Sequence, residues 1–130
     1  MNSDLVIIAK TLYGEARGEG NIGLQAVATV ICNRAKNKTE NMAAICIKPK
    51  QFSCWNNVDD IAIKEQSLYR ICLRIAETML DKTFIPYPFK TIKPSNYLTH
   101  SLYLSDKCPN WARGVAGEIV GNHIFLQLTR

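Results

Sequence analysis

Three features of the sequence predict an α+β fold, mainly α, with a small β element near the C-terminus. Apolar residues recur at helical spacing through Leu5–Leu12, Leu24–Ala35 and Ile61–Met79, which puts them on single helix faces. Pro86, Pro88 and Pro94 then break any helix. Beyond them Tyr97–Leu104 and Gly121–Leu128 alternate in the manner of short strands. A length of 130 residues makes residues 1–130 one domain, able to bury roughly two-thirds of its unfolded surface.

The first helix is expected over Ser3–Arg17, with Ser3 as N-cap. Leu5, Ile8 and Leu12 form its stripe, and Glu15 continues that stripe on the flank. A carboxylate there is out of place unless something is gained. Burial disfavours the charged form, and a general acid must hold its proton near neutral pH. Gly18 and Gly20 free the backbone to break the helix beside it. The plain alternative is an acid capping a helix–glycine turn–helix connection, which is a common arrangement. Asn21 is the expected cap of helix two, with Leu24, Val27, Ala28, Ile31 and Ala35 as its core stripe.

The polar segment Ala35–Glu40 ends that helix, and Asn41–Ile47 reads as a short one. Lys48–Asn57 is a loop in which Gln51, Phe52, Ser53 and Trp55 mix amide, hydroxyl and aromatic groups. Such a mix suits the apolar faces and hydroxyl rims of sugars, while Phe52 is better explained as an anchor to the core. The longest helix is expected over Asp59–Asp81, with Ile61, Leu68, Ile71, Cys72, Ile75 and Met79 on one face. Thr83–Asn96 is not helical, and Asn110–Gly114 is a turn that sets the aromatic Trp111 in polar surroundings.

The net charge of +5 carries no long basic run. A diffuse positive surface favours encounters with polyanions without selecting one, and no recognition motif or zinc-finger spacing supports nucleic-acid binding. Cys32, Cys46, Cys54, Cys72 and Cys108 contain no C-x-x-C pair, so a zinc ribbon or thioredoxin-like site is not expected. Reduced thiols are the default, with a Cys46–Cys54 bridge as the alternative. Leu5–Ala9 is too short for a signal-peptide core, and nothing reaches the length of a membrane span. Cytoplasmic synthesis without membrane insertion, as a monomer without cofactor or metal, is the expectation.

Four ordered blocks resemble the SleB-like (spore cortex-lytic) cell-wall hydrolase family. They are Tyr13-Gly14-Glu15-Ala16-Arg17-Gly18-Glu19 with Gly23–Ile31 and Asn33-Arg34; Lys48–Trp55; His100 within Tyr97–His100; and Pro109–Ala112 with Gly121–Phe125. The glycine-rich turn usual before the His block is replaced by Lys93-Pro94-Ser95-Asn96. The resemblance implies cleavage of peptidoglycan glycan strands on a lysozyme-like, lytic-transglycosylase-type domain. It places the Lys48–Asn57 loop beside the cleft. A phage endolysin reaching the wall through a separate holin-type pore fits a chain without an export signal.

Glu15 is the candidate acid/base, and Glu19, matched to the same motif, competes for the role. Glu19, Gln51, Ser53, Trp55, Tyr97, His100 and Trp111 are candidate contacts to the sugar chain. His123 is either such a contact or a structural residue. A hydrolytic muramidase needs a second carboxylate, which is not evident. Two rivals from other classes are an N-acetylmuramoyl-L-alanine amidase and a non-catalytic wall-binding module. A zinc amidase needs three ligands, and this chain has two histidines.

Overall fold

The computed structural model describes residues 3–49, 51–88, 100–105, 117–120 and 123–129. In order these form α1 (Ser3–Ala16), α2 (Gly20–Arg34), α3 (Thr39–Ile47), a 3-10 turn (Ser53–Trp55), α4 (Gln66–Leu80), β1 (His100–Ser105), β2 (Gly117–Val120) and β3 (His123–Thr129). The described chain is mainly helical.

The core is organised around α2. Ten of its residues, from Gly23 and Leu24 through Asn33, are buried, so it is covered on all sides rather than along the single stripe its spacing predicts. The reason is its neighbours: α1, α3, α4, β1 and β2 all pack against it. A helix apolar all round belongs in the middle of a domain. Helix α1 turns Ile8, Ala9, Leu12, Tyr13 and Ala16 inward, and α4 contributes Cys72, Ala76 and Met79. Ile71, expected on the same face of α4, is 36% exposed.

Two boundaries differ from expectation, one for a local reason and one through partners far along the chain. Helix α2 starts at Gly20, and Glu19 rather than Asn21 occupies its N-cap position, without a side-chain cap. Gly18 and Gly20 adopt φ of +90° and +74°, so the chain reverses before Asn21 is reached. Helix α4 begins at Gln66, leaving 59–65 non-helical. The Tyr13 hydroxyl accepts the backbone N–H groups of Lys64 (3.0 Å) and Glu65 (3.1 Å). Asp60 Oδ1 accepts from Ile61 N and from Lys10 Nζ, both at 2.8 Å. Held in this way, 61–63 alternates, with Ile61 and Ile63 laid on the core.

The strands form an antiparallel sheet in the order β1–β3–β2, pairing His100 with Thr129 and Val120 with His123. Val120 and Phe125 are buried in the core. Strand β2 has no counterpart among the predicted elements.

Candidate functional site

The site is a loop docked on the C-terminal half of α1, and the docking can be built from single residues. Phe52 is 1% exposed and forms the anchor. The Arg34 guanidinium stacks 4.9 Å from the centre of its ring and donates from Nη1 to Gln51 O (3.0 Å) and Gln51 Oε1 (3.3 Å). From that anchor the 3-10 turn reaches α1. Trp55 Nε1 donates to the buried Thr11 hydroxyl at 2.8 Å, and Thr11 Oγ1 donates to Ile7 O at 2.8 Å. The indole N–H of Trp55 is therefore spent on the scaffold, while its ring is only partly buried.

Gly14 lets the two segments touch. A Cβ at that position would lie 2.7 Å from Cys54 Cβ and 3.0 Å from its sulfur, closer than carbon atoms pack. A glycine inside a helix costs about 1 kcal/mol relative to alanine, and here it is offset by close approach of the loop. Glu15 follows at once. Its Oε2 accepts the Cys54 backbone N–H at 2.8 Å and faces Ser53 Oγ at 3.5 Å. The half-buried carboxylate is thus oriented by a backbone donor of the docked loop.

Glu19 is placed differently. Its Cβ would lie 2.3 Å from a Cβ on Gly23, so its stem is folded over the first turn of α2, at the positive end of that helix. Arg17 lies over the Tyr13 ring, 5.6 Å from its centre.

The structure brings Glu15, Ser53 and Trp55 together, with Gln51 turned to Arg34. His100 and His123 are separated by sheet register. His100 pairs with Thr129 at one end of β3 and His123 begins the other end. Six residue steps at about 3.3 Å put their Cα atoms roughly 20 Å apart, too far for one ion or one sugar contact. Among the described residues no group of three His, Cys, Asp or Glu is placed to hold a metal, and no helix is long and apolar enough to cross a membrane. Tyr97 and Trp111 lie outside the described residues.

Sequence reasoning passed over Thr11, Gly14, Arg34 and the Cys54 N–H. Gly14 left a readable signal, because a glycine within a helical pattern marks a close approach. The other three could not be assigned without knowing that the loop folds back on α1.

The described cysteines Cys32, Cys46, Cys54 and Cys72 are free thiols. Burial pushes the Cys32 and Cys46 thiols up to about 12 from 9.0, with Cys46 adding to the effect on Cys32. Between these values the folded chain keeps protons that the unfolded chain has lost, so stability is full below pH 9 and falls as pH rises from 9 toward 12. The expected slope is about 1.4 kcal/mol per pH unit for each thiol. Denaturant midpoints across pH 8–11 read it. The Cys32→Ala/Cys46→Ala variant should show a flatter profile, and an unchanged slope would assign the lability to other groups.

Residues 18–126 match the family model described as Cell Wall Hydrolase. A stretch of 54 residues is 39% identical to a spore cortex-lytic enzyme of Halalkalibacterium halodurans, covering 40% of this chain and 16% of that protein's length. No solved structure matches. The family match begins at Gly18, three residues after Glu15.

Proposed function

The chain belongs to the cell wall hydrolase family, and on that premise we propose that it degrades peptidoglycan by cleaving the N-acetylmuramic acid–N-acetylglucosamine bond. Glu15 is the acid/base, and the scaffold is a lysozyme-like helical domain. The observation that carries this reading is the Glu15 carboxylate at a glycine break, oriented by the Cys54 N–H at 2.8 Å.

The chemistry needs one carboxyl group. Protonated Glu15 donates to the glycosidic oxygen as the bond to muramic acid C1 breaks. The sugar's own C6 hydroxyl then attacks C1, and its proton returns to the Glu15 carboxylate. The product is a 1,6-anhydro sugar, formed without water. What supports this lytic transglycosylase route is the one carboxylate seen oriented by the docked loop among the described residues, Glu15. A direct hydrolysis would require a second carboxylate about 5–9.5 Å from the first.

Digestion of purified sacculi with and without chelator separates this reading from its rivals. Soluble glycan fragments should appear equally in both, with no new alanine N-termini. Chelator-sensitive release of alanine N-termini would establish an amidase. Binding to sacculi without soluble products would establish a wall-binding module.

A further inference from the structure

Away from Glu15, the turn between α2 and α3 and the end of α3 enclose a concavity lined by Arg34, Lys36, Lys38 and Lys48, with Ala44 and Ile45 between them. Among the described residues, no acidic or aromatic side chain lines it. Lys36, Lys38 and Lys48 are exposed, and among the described residues the ion pair formed is Lys10–Asp60, which involves none of them. Lys36 stands in the left-handed region at φ 54°, followed by Asn37 at 59°. A left-handed residue is usually glycine or asparagine, yet this one carries a cation into the concavity.

We propose that this concavity is an attachment surface for an anionic polyol-phosphate polymer of the cell wall. Three exposed lysines gathered in one concavity raise the local positive potential and favour a polyanion. The planar fork of arginine matches carboxylate and phosphate alike, and the Arg34 Nη1 is committed to Gln51. The remaining three are lysines, compact point charges on flexible stems, which suit phosphodiesters along a flexible chain. Single-stranded nucleic acid is bound with aromatic platforms for its bases, and none lines this surface among the described residues. Arg34 also joins the surface to the site, because the loop segment it holds runs three residues on to Cys54 and hence to Glu15. A polymer held here would keep Glu15 against the wall. The surface does not depend on which bond Glu15 cleaves, and it is tested by binding alone.

The test compares the wild-type chain with the Lys36→Gln/Lys38→Gln/Lys48→Gln variant and with an Arg70→Gln/Arg74→Gln/Lys82→Gln control, which removes the same charge from exposed positions on and just after α4. The probes are poly(glycerol phosphate), single-stranded DNA, and sacculi before and after hydrofluoric-acid removal of phosphodiester polymers. Thermal midpoints confirm that each variant folds. The lysine variant should bind the phosphate polymer and intact sacculi about tenfold or more weakly at low salt, with a salt slope shallower by about two to three. The control should bind like wild type, and stripped sacculi should bind all three chains equally weakly. Equal loss in the control would reduce the effect to net charge. Undiminished binding to stripped sacculi, or DNA bound as tightly as the polymer, would overturn the proposal.

Discussion

Replacing Glu15 with glutamine is expected to lower the rate of glycan cleavage by about 10²–10⁴-fold, the usual range for a general acid–base group, and to leave the thermal midpoint nearly unchanged. The two side chains have the same shape, and the glutamine oxygen can still accept the Cys54 N–H that Glu15 Oε2 now accepts at 2.8 Å. What is lost is the proton. The effect should fall on kcat more than on KM, because the group acts on the bond being broken rather than on the whole chain of sugars. Glu19→Gln is the informative companion. With its stem packed over Gly23, Glu19 should tolerate the change within a few-fold. Near-full activity in Glu15→Gln together with loss in Glu19→Gln would move the acid to the other side of the glycine turn.

Phe52→Ala carries the largest expected cost to stability, about 3–5 kcal/mol for an aromatic ring removed from a packed core. Phe52 is 1% exposed and lies beneath Arg34, so truncation opens a cavity and also frees the guanidinium that holds Gln51. Activity should fall further than stability alone requires, because the Cys54 N–H reaches Glu15 only while the loop is docked. Denaturant midpoints measure the first effect, and turnover well below the midpoint measures the second. Ser53→Ala serves as the contrast. It removes only a 3.5 Å contact to Glu15 and should shift stability by no more than about 0.5 kcal/mol. A Phe52→Ala protein with wild-type midpoint would mean the loop is not anchored through this ring.

The legible parts of the sequence were those set by local spacing. The cores of α1, α3 and α4, the burial of Phe52 and the helix break after Glu15 all follow from residues within one or two turns of each other. What escaped was set by partners far along the chain. Residues 59–65 carry acids and isoleucines suited to a helix start, yet the Tyr13 hydroxyl, about fifty positions away, takes the N–H groups of Lys64 and Glu65. Periodicity in α2 showed one face, whereas the number of elements around that helix is a tertiary fact. Glu15 could be singled out as a carboxylate beside an apolar stripe. Its orientation depends on Cys54, 39 residues on, and spacing cannot express that. His100 and His123 look alike in sequence, and only strand register separates them.

Mass spectrometry of the muropeptides released from purified sacculi in ¹⁸O-labelled water tests the single-carboxylate mechanism most directly. Cleavage by Glu15 with internal attack of the C6 hydroxyl predicts 1,6-anhydro-N-acetylmuramic acid ends that carry no label. Reducing muramic acid ends bearing ¹⁸O would contradict it, since water would then be the nucleophile and a second carboxylate would have to be found, beginning with Glu19.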